Sequence, residues 1–234
     1  LCARTDNEEK QRVQSTHDLR LLTLLPSLWN TAASALFQQY LTLPQWADEW
    51  QYAYKQGHNA TELTWFLVLL IQKARERKLP LLLSSLDIPA AFDNLDHCAL
   101  AESMREAGCP IELAQWLVSS LRSLSIEPEL GELEIRRLLM RNGLPQGNKI
   151  PRAFTLVLTK ILDPVYTKLR HEKKGVELNQ NWIPFAIYSD NIFVFSRSTV
   201  EQLYIISEIT KALRTGGWQL PLDRAATIAI DASA

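Results

Sequence analysis

The segment that most constrains this chain is Pro184-Phe185-Ala186-Ile187-Tyr188-Ser189-Asp190-Asn191-Ile192-Phe193-Val194-Phe195-Ser196. Two apolar runs enclose a polar tetrapeptide, a pattern that predicts strand, turn and strand with a carboxylate at the tip. Asp87 closes another apolar run, Leu81-Leu82-Leu83-Ser84-Ser85-Leu86. The stretch 79–86 therefore predicts a buried strand. Two carboxylates brought to adjacent strand ends can hold a pair of divalent metals. Such a pair clamps the attacking and leaving oxygens of phosphoryl transfer.

Charge and composition narrow the partners. The 234 residues are 47% hydrophobic and 22% charged, enough for one large or two small globular domains with a substantial core. The formal net charge is -1, so no global basic field advertises a polynucleotide, which needs Lys and Arg to replace its condensed counterions. Any such groove has to be local. Cys2, Cys98 and Cys109 lack CxxC spacing and the four histidines lack ligand spacing, which argues against a disulfide framework or a zinc site. A reducing compartment is the mild inference. Residues 1–12 are polar and charged, unlike a secretory leader. The apolar run Trp65-Phe66-Leu67-Val68-Leu69-Leu70-Ile71 is far shorter than the roughly 20 residues that span a bilayer. A membrane partner is not expected. Without an initiating Met, the chain reads as a piece of a longer polypeptide.

Along the chain, residues 19–41 are apolar with weak helical periodicity broken at Pro26, and residues 46–57 read as irregular. Asn59 can cap a helix reaching about Arg77, with Glu62 in its first turn. Lys73, Arg75, Arg77 and Lys78 crowd the far end, where the macrodipole favours cations. Residues 93–107 predict a helix with Gly108 as its C-cap, and Pro110 opens the next, over 111–124. Asp93, Asp96 and His97 are candidates to cap the first of these. Residues 127–139 alternate like a hairpin about Gly131, 141–147 read as a loop, 153–169 as a long apolar helix, and 171–181 as a polar connector. A helix over 199–215 ends at Gly216-Gly217, and a strand follows at 225–230. Helices and hairpins in this mixed order indicate an α+β fold.

Six motifs in order then resemble one family. Ser85-Leu86-Asp87-Ile88-Pro89-Ala90-Ala91-Phe92-Asp93-Asn94-Leu95-Asp96-His97 is similar to the first catalytic motif of reverse transcriptases of non-LTR retrotransposons. Gly143-Leu144-Pro145-Gln146-Gly147 matches the family's G-[LV]-P-Q-G loop, and Tyr188-Ser189-Asp190-Asn191 stands where it has Y-x-D-D. Gly217-Trp218-Gln219-Leu220 with Arg224 resembles a later element. Arg20-Leu21-Leu22-Thr23-Leu24-Leu25-Pro26 and Gln51-Tyr52-Ala53-Tyr54-Lys55-Gln56-Gly57-His58-Asn59-Ala60-Thr61 resemble two earlier ones. Together they cover about residues 18–230.

The resemblance implies an α+β right-hand polymerase fold of fingers and palm, the palm an antiparallel sheet backed by helices. Residues 1–17 would be an N-terminal linker, 18–80 the fingers and 81–234 the palm, with fingers elements interleaved around 110–150 and the thumb absent. It implies transfer of dNMP from dNTP to a primer 3′-hydroxyl on an RNA template with a DNA primer, using Mg²⁺ or Mn²⁺. Asp87 and Asp190 would be catalytic metal ligands, Asn191 would stand beside them, and the Ile88 carbonyl would complete a near-octahedral shell. Phe92 holds the steric-gate position, or simply fills the core. Gln146 and Gly147 would line the nucleotide pocket. Arg20 and Lys55 would contact the triphosphate, or be solvated surface charges. Arg224 replaces a Lys and offers charge without a proton. Trp46, Trp50 and Tyr54 are candidates to stack on bases. Flanking domains of a polyprotein, and a nuclear or cytoplasmic place of action, follow by the same resemblance.

The chain also departs from the family. Asn191 replaces the second Asp and removes one negative charge beside the expected metals. Asn148-Lys149 replaces Ser-Pro, Ala53, Lys55 and His58 replace Gly and Arg residues of the fingers motif, and Pro221 replaces an Asn. These departures leave open a second expectation, a polymerase fold whose catalysis is impaired or lost. An RNA polymerase, which shares the palm, is disfavoured by an aromatic at position 92.

Overall fold

The computed structural model describes residues 2–3, 19–20, 27–40, 50–54, 59–126, 138–145, 151–222 and 225–230. β1 (Cys2–Ala3) pairs antiparallel with β2 (Leu19–Arg20), and α1 (Ser27–Tyr40) follows. α2 (Ala60–Glu76) begins where expected. The Asn59 side chain accepts from the Thr61 amide at 2.9 Å, Glu62 lies in the first turn, and Lys73 and Arg75 lie in the last. β3 (Leu81–Asp87) carries the first apolar run.

The next helix differs from the sequence reading. α3 spans His97–Glu106, because Pro89 and the turns over 89–94 hold the chain out of helix and Asp96 is the cap, accepting from the Ala99 amide at 2.8 Å. Asp93 therefore lies outside it, while His97 is its first residue. Ala107 ends α3, Gly108 follows at φ +85°, and Pro110 precedes α4 (Ile111–Ser123). β4 (Ser125–Ile126), just before the expected hairpin, pairs with β5 (Leu138–Leu139), its last two residues; the stretch between, with Gly131, lies outside the described residues. α5 (Pro151–His171) is the long apolar helix.

Residues 171–181 are more than a connector. β6 (Val176–Leu178) and β7 (Asn181–Ile183) form a hairpin whose turn residues, Asn179 and Gln180, both have positive φ, at 50° and 68°. That is the primed turn that matches strand twist, formed here without the glycine that usually signals it. β8 (Phe185–Tyr188) and β9 (Asn191–Ser196) form the hairpin about Asp190, with Ser189 at φ 58° in its turn. α6 (Thr199–Thr215) starts at a Ser198 cap and ends at Gly216, and β10 (Ala226–Ile230) is the last strand among the described residues.

The central sheet is antiparallel with strand order β10–β3–β9–β8. Side chains alternate across it with period two. Phe185, Ile187, Ile192, Val194 and Leu86 join the cluster that also contains residues of α3, α4, α5 and α6. Ala186, Phe195, Leu81 and Leu83 face the other way, with Leu63 and Leu70 of α2. Both faces of β3, β8 and β9 are thus covered, while edge strand β10 stays exposed; that accounts for inner strands that read as nearly continuous apolar runs.

Polar groups tie the layers. Ser196 Oγ donates to Gln202 Oε1 at 2.6 Å, the Gln202 amide donates to Ser84 Oγ, and Ser84 Oγ bonds Thr227 Oγ1 at 2.6 Å. This chain joins β9, α6, β3 and β10. Beside it, Glu201 accepts from the amides of Gly175 (3.1 Å) and Arg197 (2.9 Å) and from the Arg197 guanidinium (3.3 Å). Burial alone would raise the Glu201 pKa; these hydrogen bonds and the Arg197 charge outweigh it and leave the pKa below the ordinary value of 4.5. A carboxyl with a lowered folded pKa contributes stability that is complete above its unfolded pKa and is lost as pH falls through the folded one. Glu201→Gln is expected to cost about 1–3 kcal/mol at pH 7, as for a hydrogen-bonded carboxylate, and much less at acid pH below the folded pKa. Urea unfolding at the two pH values checks this, and an equal loss at both would refute the assignment.

Candidate active site

The β3–β9 register puts Asp87 directly opposite Asn191, and the β8–β9 register puts Tyr188 opposite the same residue. One step beyond β3, the Ile88 amide donates to the Asp190 carbonyl at 3.2 Å. Asp87, Ile88, Asp190 and Asn191 therefore share one end of the sheet. Asp87 is exposed, Asp190 and Asn191 are half-buried, and Ile88 is buried beneath them.

The hairpin tip is braced from outside the sheet. Ile187 donates its amide to the Trp50 carbonyl at 2.7 Å and accepts from the Tyr52 amide at 2.9 Å, so residues 50–52 cover the β8 edge. Two residues on, the Tyr54 hydroxyl bonds Ser189 Oγ at 3.0 Å. Burial raises the Tyr54 pKa; the Ser189 bond lowers it, and the neighbouring Asp190 and Tyr188 raise it further. Tyr54 is thus a neutral brace for the turn that carries Asp190. Trp50 is fully buried between Tyr166 (ring centroids 5.6 Å) and Phe185 (5.5 Å), so it is core and not a stacking platform. Trp46 lies outside the described residues.

A second loop is bolted to the turn after β3. Gly143 donates its amide to the Leu95 carbonyl and Leu144 to the Phe92 carbonyl, both at 2.8 Å, while His97 Nε2 donates to the Gly143 carbonyl at 2.8 Å. Glycine is required here: φ is +89°, and a Cβ would lie 2.5 Å from the Asp93 carbonyl oxygen. Phe92 is half-buried and packs on the fully buried Phe154 at 4.5 Å, which meets Trp218 edge-on at 5.5 Å. Trp218 Nε1 donates to the Ala91 carbonyl at 2.9 Å. Phe92 is consequently both a packed ring and one with an exposed part.

Lys55, Gln146, Gly147 and Arg224 lie outside the described residues, and Arg20 is in β2 opposite Cys2. The contacts absent from the sequence reading are the Tyr54–Ser189 brace, the His97–Gly143 bond and the Trp218–Ala91 bond. All join residues far apart in the chain, and only the motif memberships of Tyr54, His97 and Trp218 hinted at them.

As a metal site the arrangement offers hard oxygen donors. Among the described residues no three His, Cys, Asp or Glu side chains gather to hold an ion. Two carboxylates and a backbone carbonyl fit Mg²⁺, which keeps several waters and needs few protein ligands.

The sequence matches the model of the family described as reverse transcriptase (RNA-dependent DNA polymerase) over residues 9–227. The chain belongs to the reverse transcriptase family. Retrovirus-related Pol polyproteins from the type-1 retrotransposable element R2 are similar to it, at 25% identity over 62% of the chain in Popillia japonica and 21% over 78% in Nasonia vitripennis. It is a reverse transcriptase domain of the non-LTR type. The chain spans only 23% and 18% of the length of those two relatives. Its fold is similar to that of telomerase from Candida tropicalis: TM-score 0.58 for a truncated apo form, and 0.62 for a complex with a fragment of telomeric RNA. These comparisons cover 87% of the chain and 40% and 34% of the telomerase chains, at 12% and 11% identity. The α+β fold is therefore that of right-hand polymerase fingers and palm.

The close approach at Gly143 separates two costs in this reverse transcriptase domain. Gly108 also has positive φ, +85°, but a Cβ there meets nothing within 4 Å. Gly108→Ala should lose about 1 kcal/mol from conformation alone, and Gly143→Ala roughly 1–3 kcal/mol more from the added clash. Chemical denaturation of both variants measures the difference; equal losses would mean the loop yields freely.

Proposed function

We propose that the chain is the polymerase core of a non-LTR retrotransposon reverse transcriptase that extends a DNA primer on an RNA template. The observation that carries this reading is the paired strand ends, with Asp87 opposite Asn191 and Ile88 bonded to Asp190. The R2 relatives and the telomerase likeness support nucleic acid as the partner and a longer polyprotein as the context.

In this reading the primer 3′-oxygen attacks the α-phosphorus of a dNTP, and the bond to the β-phosphate breaks to release pyrophosphate. Asp87, Asp190 and the Ile88 carbonyl would hold Mg²⁺ or Mn²⁺, which when bound lowers the pKa of the 3′-hydroxyl and neutralises the leaving charge. Tyr54 and Ser189 keep the Asp190 turn in place. The exposed part of Phe92, backed by Phe154, would close the space a ribose 2′-hydroxyl needs. Gln146 and Gly147 would line the nucleotide pocket, Arg20 and Lys55 would meet the triphosphate, and Arg224 would add charge near the pyrophosphate.

Asn191 favours a second reading, a domain that keeps the fold with weak or lost catalysis. It stands directly opposite Asp87, where a carboxylate would add a third anionic donor. Asn supplies an oxygen but no charge, and divalent cations bind it less well.

Titrating Mn²⁺ with dNTP present tests the first reading. Saturable binding is expected in the native chain, absent in Asp87→Ala, and about tenfold tighter in Asn191→Asp, a gain of about 1.4 kcal/mol. Binding that ignores both substitutions would rule out this site. Primer extension separates the readings: activity seen only in Asn191→Asp selects the second. Where extension is measurable, Phe92→Ala should raise incorporation of ribonucleotides relative to dNTP, and an unchanged ratio would make Phe92 purely a core residue.

A further inference from the structure

Lys and Arg total 25 and Asp and Glu 26, so any cluster of one sign is a local arrangement. One such cluster lies at the end of the sheet away from Asp87. β3 takes seven residues to pass from Leu81 to Asp87, about 20 Å at strand spacing. β9 runs from Asn191, opposite Asp87, to Ser196, with Arg197 just beyond it. At this far end a cavity of about 470 Å³ opens between α2, the start of β3 and the β6–β7 hairpin. Leu70, Ala74, Leu81 and Val176 give it a buried apolar floor, and Lys73, Arg77 and Arg197 border it against one acidic lining residue, Glu177.

The cations at the end of α2 have an ordinary explanation, since they offset the helix dipole. Arg197 does not. It comes from the end of β9, and its guanidinium lies 4.5 Å from the centre of the Trp182 ring. Glu201 and the Lys173 carbonyl, each at 3.3 Å, fix it there. Trp182 and Gln180 also line a second cavity of about 620 Å³, with Arg170, His171 and Lys173 set against Asp163 and Glu177. The β6–β7 hairpin is thus a ridge between two hollows, one of them clearly basic.

An apolar floor beside a half-exposed indole, ringed by Lys and Arg, suits an unstacked base with its phosphates. A duplex offers phosphates without a free base. We propose that this face binds single-stranded nucleic acid outside the Asp87–Asp190 end, with phosphates on Lys73, Arg77 and Arg197 and a base in the cavity beside Trp182. The site is independent of polymerase chemistry, because its residues lie at the opposite end of β3.

The test is fluorescence anisotropy of a labelled 12-nucleotide uridine oligomer, with a thymidine DNA oligomer of the same length as a second arm. The whole chain is used, across about 50 to 200 mM salt. In the double variant Lys73→Gln/Arg77→Gln, affinity should fall about tenfold and the salt dependence should shallow by about 1.4 log units per log unit, from two lost phosphate contacts at ~0.7 each. Trp182→Ala should weaken binding about tenfold by loss of stacking. Preference for the uridine oligomer would make RNA the ligand, and equal binding would make it any single strand; both support the site. No binding, an unchanged salt dependence in the double variant, or full displacement by polyglutamate would overturn it, the last in favour of an acidic peptide. Circular dichroism confirms that each variant is folded.

Discussion

The pairing of β3 with β9 is the constraint from which the rest of the molecule follows. Both strands are covered on both faces, so their register is fixed by which side chains enter which core. A slip of one residue would send Ile192 and Val194 toward α2 and Phe193 and Phe195 toward α5 and α6, exchanging every partner at once. The same register sets Asp87 opposite Asn191. Apolar packing along the strands thereby fixes polar groups at their ends, and the buried Ser84–Gln202–Ser196 bonds add a directional check that burial alone lacks.

Around that sheet end the supporting contacts come from four separate stretches. Residues 50–54 clasp the β8 edge and the hairpin turn; Gly143 and Leu144 hang on the carbonyls of Leu95 and Phe92; Phe154 rises from α5 under Phe92; Trp218 reaches back from beyond α6 to Ala91. Each bond restrains backbone that has no strand or helix partner of its own. The turn that carries the half-buried Asp190 is thereby held by contacts beyond its own two strands.

Much of this was legible in the sequence, for reasons that can be named. The α2 boundaries followed from Asn59 and the cations after Leu70, because caps and dipole effects are local. The Asp190 hairpin followed from two apolar runs about a polar tetrapeptide. The start of α3 did not, since three candidate caps lay close together and Pro89 with the following turns decided among them. The β6–β7 hairpin was hidden because Asn179 and Gln180 adopt positive φ without a glycine, stabilised by strands the local sequence scarcely announces. Trp50 read as a possible platform because exposure is a tertiary property; the rings of Tyr166 and Phe185 that bury it lie more than a hundred residues away. The two motifs carrying Asp87 and Asp190 were visible, while the brace from Tyr54 to Ser189 was not.

Asn191 links the site back to stability. Three carboxylates at one sheet end repel one another unless cations lie between them, so a fully acidic site costs folding free energy whenever metal is absent. An Asn at the central position, opposite both Asp87 and Tyr188, removes that repulsion while keeping the backbone pairing on which the register depends. The side chain at 191 is half-buried, so the neutral amide is also cheaper to desolvate than a carboxylate. A neutral side chain at 191 therefore favours the fold itself. That is the direction in which stability and function trade at sites assembled from like charges. It explains how this hairpin keeps its full register and bracing with one of its acidic positions neutral.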